Sequence, residues 1–128
     1  MFTVDMMSRI PVYEQIIEQM ERLLLCNILG PGDQVPSVRS LSIELSINPN
    51  TIQKAYTELT RRELIYSVPG KGCFVSNEAV ELLEKNKRAN LDEYRKVARE
   101  FLLAGIEAEE LIKIIQEEDK KQMGGGLV

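Results

Sequence analysis

Four polar side chains near the middle of the chain recur at the spacing of one helix face. They are Asn50, Gln53, Lys54 and Thr57, and positions three or four apart lie on the same side of an α-helix. Amide side chains can bind the edge of adenine, and a lysine ammonium suits a phosphate. A plain solvated face is the competing interpretation of this pattern. The residues indicate a nucleic-acid contact only if neighbouring elements present this helix to DNA.

The preceding segment predicts a second helix joined to this one by a tight turn. Ser37 is a favoured N-cap, and Asn48 followed by Pro49 marks the next helix start. The inward stripes of the two helices comprise Val38, Leu41, Leu45, Ile52, Ala55, Tyr56 and Leu59. Two short helices at a tight turn are typical of a helix-turn-helix.

Residues 64–75 predict a β-hairpin directly after the polar helix. Pro69 and Gly70 suit a type II turn. Lys71 lies between two glycines, so an ammonium and bare backbone amides meet at the hairpin tip, where they can approach a phosphate. A tight turn with a solvated lysine is the alternative. The order of elements predicts a mainly α fold with a small β-hairpin wing, a winged helix-turn-helix.

An amphipathic helix is predicted before this module, from Pro11 to the Gly30-Pro31-Gly32 stop. Its apolar positions recur every four residues, which indicates packing on a core. They are Val12, Ile16, Met20, Leu24 and Ile28. Tyr13 is assigned to the same packing rather than to a ligand.

After Asn77 the chain becomes helical and highly charged. One apolar stripe, weak at 87–90, is predicted to end at Gly105, and a second helix starts at Glu107 with Ile106 and Leu111 as a hydrophobic staple. The stripe comprises Val80, Leu83, Leu91, Tyr94, Val97, Ala98, Phe101 and Leu102. Two such helices cannot bury this surface alone, which favours a symmetric homodimer.

These patterns predict three parts. They are a winged helix-turn-helix DNA-binding domain over 9–77, a helical dimerisation region over 78–122 and a disordered tail over 123–128.

Composition excludes several classes of protein. The 128 residues lack a signal peptide and a transmembrane run, and the two cysteines, Cys26 and Cys73, fit a reducing compartment, so a cytoplasmic location is expected. With no histidine and no nucleophile–base pair, neither an enzyme, a metal site nor a cofactor is expected. The net charge is −4, but residues 1–76 hold seven basic and eight acidic side chains, so a local basic face is compatible with the sequence.

Four blocks resemble the DNA-binding domain of GntR-family bacterial transcription regulators. In chain order they are PVYEQIIEQM, LGPGDQVPSVRSLS, INPNTIQKAYTEL and GKGCFV. The short helical tail is similar to the YtrA subfamily, which lacks large effector-binding domains. The resemblance implies a dimeric repressor that binds an inverted-repeat DNA operator, often of an operon for ATP-driven export. It leaves room for a small-molecule effector of unknown identity.

The resemblance also implies which residues contact DNA. The residues carried over are Arg39, Asn48, Asn50, Thr51, Gln53, Gly70 and Lys71. Lys54 joins them as a phosphate contact because of its position beside them.

Three residues depart from the family pattern. Pro49 stands where many members have arginine, Glu63 where glycine usually ends the recognition helix, and Cys73 where a hydroxyl residue is common. Loss of the arginine shifts base recognition to Arg39, Asn50 and Gln53. A winged-helix scaffold for protein partners is the alternative function, and it would lack salt-dependent DNA affinity.

Overall fold

Six α-helices and one β-hairpin make up the protein, in a computed structural model that describes residues 1–123. The elements are α1 (Val12–Leu25), α2 (Val38–Leu45), α3 (Pro49–Arg61), β1 (Ile65–Val68), β2 (Gly72–Val75), α4 (Ala79–Ala89), α5 (Leu91–Leu103) and α6 (Ala108–Met123). This confirms the mainly α fold with a hairpin wing. Of the predicted tail, all but Met123 lies outside the described residues. Within those residues no helix is long and apolar enough to cross a membrane.

The chain divides into two compact units, residues 1–84 and 85–128. The core of the first lies between α1 and α3, and all four residues predicted to face inward from α3 are buried. Tyr56 is among them, and its hydroxyl donates a 2.6 Å hydrogen bond to the Pro36 carbonyl. Burial raises the pKa of the Tyr56 phenol, so it stays a neutral donor. The bond ties α3 to the segment that leads into α2.

Two side-chain pairs show that α1 and α3 run in the same direction. The Lys54 ammonium lies 3.9 Å from the ring centre of Tyr13, and Arg62 pairs with Glu21 at 3.1 Å. Both pairs join residues 41 positions apart in sequence, so the two helices run parallel to each other. At the far end, hydrogen bonds from Arg61 and then Arg62 lower the pKa of Glu58 to about 2.

The hairpin has the predicted turn and gains a third strand-like segment. Ile65 pairs with Val75 and Val68 with Gly72. Gly70 has φ 77° and the Lys71 N–H bonds to the Val68 carbonyl, as a type II turn requires. In addition, residues 33–35 exchange backbone hydrogen bonds with 73–75 along the outer edge of β2. This extra segment, which the sequence did not predict, anchors the wing to the connection between α1 and α2.

Among the described residues, four helices end around a residue in the left-handed conformation. These residues are Asn27, Ser46, Glu63 and Gly105, with φ from 55° to 93°. In each case this residue and its successor donate N–H groups to carbonyls of the last helical turn, the Schellman pattern. Glycine fits this conformation without a steric cost, whereas the other three residues carry a Cβ that crowds the backbone.

The predicted end of the first helix was wrong. It ends at Leu25 rather than at Gly30, because Asn27 takes the left-handed position and the Ile28 N–H bonds to the Leu23 carbonyl at 2.9 Å. Ile28, predicted to continue the buried stripe, is therefore 51% exposed.

The helical region after the wing also differs from the prediction. Instead of one run it forms α4 and α5, separated at Asn90, where the weak stripe at 87–90 falls. On α4 the buried residues are Ala79 and Leu83, whereas Val80 from the predicted stripe is 43% exposed. The break lets α5 start with Asp92 and Glu93 in its first turn, where carboxylates favour the positive helix end.

In the second unit, α5 and α6 line an open apolar cavity of about 280 Å³. Ile106 and Leu111, the predicted staple, are both half-buried and line it. The other lining residues are Tyr94, Val97, Ala98, Phe101, Glu110, Ile114 and Ile115. Large apolar side chains here stay about half exposed, with Phe101 at 46% and Ile115 at 49%.

Replacing Glu63 with glycine tests the strain at the end of α3. Because Glu63 sits at φ 63°, Glu63→Gly should raise the free energy of unfolding by about 1 kcal/mol. Glu63→Ala keeps the Cβ while it removes the carboxylate, and should gain less. Urea unfolding followed by circular dichroism measures both, and a glycine variant no more stable than the alanine variant would contradict the assignment.

Candidate nucleic-acid interface

The start of α3 is fixed by hydrogen bonds from the turn that precedes it. Ser46 adopts the left-handed conformation, and the Ser42 hydroxyl donates to the Ile47 carbonyl. The Asn48 side-chain oxygen then accepts the Asn50 N–H at 2.8 Å, which caps the helix, and Pro49 fills its first position. This sets the angle at which α3 leaves α2.

The two faces of α3 are sharply different. Ile52, Ala55 and Leu59 are fully buried, so the helix cannot rotate about its axis without exposing them. Asn50, Gln53, Lys54 and Thr57 are exposed on the other side. The core thus holds this polar face towards solvent.

The predicted contact residues on α3 differ in how free their hydrogen-bonding groups are. The Asn48 side-chain oxygen accepts the cap hydrogen bond, whereas its amide NH₂ can act only as a donor. The Gln53 amide donates to the Thr57 hydroxyl at 3.2 Å, an exposed bond that a base edge can replace. Thr51 is half-buried in the first turn. The Asn50 side chain is exposed.

Lys54 has a partner that the sequence does not indicate. Its ammonium rests over the ring of Tyr13 on α1, a cation–π contact. The Tyr13 hydroxyl donates to Glu14 at 3.2 Å, and the charge and hydrogen bond of Glu14 raise the pKa of this phenol. Sequence spacing within α1 could not indicate this pair, because it depends on how α1 and α3 align.

A groove of about 840 Å³ runs between α1 and α3. Asn50, Gln53, Lys54 and Thr57 lie along its α3 side, so the structure brings the polar face of α3 into one surface. Carboxylates dominate the α1 side, and they are Glu14, Glu18 and Glu21. The α3 wall also carries Glu58 and Arg62, which pair with each other, so its free polar groups are the amides, the threonine hydroxyl and Lys54, whereas the α1 wall is acidic.

The remaining predicted residues lie on elements that pack directly against α3. Arg39 is exposed in the first turn of α2, which Ser37 caps by accepting the Ser40 N–H at 3.0 Å. Gly70 and Lys71 are exposed at the hairpin tip, and β1 contacts α3.

Gln34 is a second residue that the sequence analysis did not identify. Its amide donates to the Lys71 carbonyl at 2.9 Å, and Gly72 lies so close that a Cβ there would sit 2.7 Å from the Gln34 amide nitrogen. Gln34 thereby supports the tip that carries Lys71.

Metal-binding side chains and free thiols are the other groups that could carry chemistry in this part of the protein. Among residues 1–123, no group of three or more acidic or cysteine side chains is arranged to hold a metal ion. Cys73, in β2 of the wing, is a half-buried free thiol.

Comparisons with known proteins agree with this geometry. Residues 12–75 match the model of the bacterial regulatory proteins of the gntR family. The chain is 40% identical to the HTH-type transcriptional repressor YtrA of Bacillus subtilis, over 98% of the chain and 97% of that repressor.

Solved structures show the same similarity. A GntR family transcriptional regulator from Listeria monocytogenes superposes with a TM-score of 0.72 and 32% identity, covering 89% of this chain and 98% of that one. The DNA-binding domain of AraR in complex with operator ORX1 superposes with a TM-score of 0.53 and 27% identity, covering 59% of this chain and 93% of that one.

The matched region spans the helix-turn-helix and the wing, and the first relative matches along nearly its whole length. The members of this family are transcription regulators rather than enzymes. The chain therefore belongs to the GntR family of DNA-binding bacterial regulatory proteins.

Proposed function

We propose that this chain is a repressor that binds an inverted-repeat operator as a homodimer, with α3 of each copy in the major groove. The exposed polar face of α3, held outward by a fully buried opposite face, is the observation that carries the proposal. A groove about 12 Å wide admits one helix, and this helix offers amides to base edges along its first turns. We assign DNA binding to residues 9–77.

Within that docking, side-chain chemistry divides the contacts into two kinds. Asn50 and Gln53 bind base edges, since their amides can donate to and accept from adenine. Lys54 and Lys71 bind phosphates, and Gly70 lets the backbone of the wing approach closely. Arg39 donates two parallel hydrogen bonds to a guanine or to a phosphate. Asn48 and Thr51, at the start of α3, contact the sugar-phosphate backbone of the DNA.

Repression of an operon related to transport is the finer part of the proposal. The Bacillus subtilis relative is named a repressor, and the resemblance to its subfamily carries the link to export. Such a protein works in the cytoplasm, where the chromosome lies. A small-molecule effector would act by changing how the two DNA-binding units of a dimer are spaced.

We assign dimerisation to residues 78–122, whose exposed apolar side chains lie mostly in the second unit. Its large apolar side chains are about half exposed, and water contact with that much apolar surface is unfavourable. A second copy that covers the same face would bury them symmetrically, as two-fold dimers do. Pairing two α3 helices in this way matches a two-fold symmetric operator.

Substitutions at two residues test the DNA contacts. Arg39→Ala and Asn50→Ala should each weaken binding to a duplex selected by the wild-type protein from a randomised pool, by about 1–3 kcal/mol. Neither residue is buried, so circular dichroism should show unchanged folding. Fluorescence anisotropy measures affinity, with Arg22→Ala at the far end of α1 as a matched control. Unchanged affinity in both variants, or affinity that does not fall with salt, would instead favour the protein-binding scaffold.

A new charge in the apolar face tests dimerisation. Val97 lines the α5–α6 cavity and is 52% exposed, so Val97→Glu would bury a carboxylate in a dimer interface and should shift the protein to a monomer. The mass measured by sedimentation equilibrium should then fall from twice the chain mass of 14.6 kDa to the mass of one chain. The affinity for the operator should fall as well. Arg99→Glu places a carboxylate at a polar position of α5, a larger charge change, and should nevertheless leave the dimer intact. A wild-type protein that sediments as a monomer would contradict the proposal.

A further inference from the structure

Two glutamine side chains fix the N-terminal segment to α1. Gln15, only 9% exposed, accepts the Asp5 N–H at 2.9 Å and donates to the carbonyls of Asp5 and Ile10 at 3.0 and 2.9 Å. Gln19 accepts the Thr3 N–H and donates to the Thr3 carbonyl. The segment is thus held along α1 by its backbone.

The segment reverses direction in residues 5–10, the N-terminal turn. Both ends of this turn are hydrogen-bonded to the one buried Gln15 amide. Inside it, the Asp5 carboxylate accepts the Met7 N–H, and the Ser8 hydroxyl accepts the Ile10 N–H. A turn closed in this way loses little conformational freedom when it binds a partner.

Arg9 is the cation that this turn presents. It is exposed, and its guanidinium makes no hydrogen bond or ion pair within residues 1–123. By contrast, Arg61 and Arg62 are both engaged with carboxylates. Arg9 is therefore free to bind an anion with two parallel hydrogen bonds.

The parallel packing of α1 and α3 determines where the turn lies. Because Tyr13 is level with Lys54, the start of α1 is at the same end as the start of α3. Packed helix axes lie about 8–10 Å apart, and the major groove is about 12 Å wide. When α3 occupies the groove, the start of α1 lies over one of the phosphate backbones that border it.

We propose that the N-terminal turn is an additional DNA contact in which Arg9 binds a phosphate beside the groove entered by α3. This inference rests on the proposed docking of α3. In the protein groove between α1 and α3, the three carboxylates on the α1 side repel DNA. A cation at the start of α1 offsets their charge locally. A phosphate contact adds affinity and fixes orientation, but it carries no sequence information.

Arg9→Ala tests the proposal in the full-length chain. The probes are two duplexes, one selected by the wild-type protein from a randomised pool and one with the same bases scrambled. Affinity for both should fall by a similar factor, roughly three- to tenfold, and the slope of log affinity against log salt should become shallower by about 1. Arg22→Ala removes the same charge from the opposite end of α1 and should change neither quantity.

Unchanged affinity and salt slope in Arg9→Ala would overturn the proposal, as would an equal loss in Arg22→Ala. Asn50→Ala separates this failure from failure of the docking itself. If Asn50→Ala loses preference for the selected duplex while Arg9→Ala binds normally, α3 docks as proposed and the turn does not contact DNA. If neither variant changes binding, the docking of α3 is wrong and the proposal for Arg9 is wrong with it.

Discussion

The packing of α1 against α3 is the contact on which the rest of the structure depends. Ile16 and Met20 of α1 and Ile52 of α3 are fully buried. Any rotation of α3 would expose apolar surface, at a free-energy cost of about 25 cal/mol per Å². That constraint keeps the amides of α3 in solvent. The same packing sets the helices parallel, and it brings the Tyr13 ring under the Lys54 ammonium.

The net charge of −4 and the pairing of the surface cations limit the electrostatic attraction of this protein for DNA. Carboxylates line one wall of the groove, and Arg61 and Arg62 are held by Glu58 and Glu21. The cations left for DNA are few and dispersed, so the field of the whole protein attracts duplexes only weakly. Binding then depends on the correct placement of individual hydrogen-bonding groups, which favours selective over non-specific association.

Local signals allowed much of the fold to be predicted, because caps, turns and periodicity are short-range. The cap at Asn48, the turn at Gly70 and the inward face of α3 are all observed where the sequence indicated. What could not be predicted depends on long-range alignment, such as the Tyr13–Lys54 pair. The end of the first helix was mispredicted because asparagine at position 27, not a glycine, adopted the left-handed conformation. The eight predicted DNA contacts remain predictions.

Methylation interference on the selected duplex tests the central claim most directly, because dimethyl sulfate modifies guanine N7 in the major groove. Two α3 helices of a two-fold dimer should give two patches of interference on the major-groove edge, with centres about 10 base pairs, or a multiple of one helical turn, apart. Binding that tolerates methylation at every guanine N7, or interference in a single patch, would contradict the account.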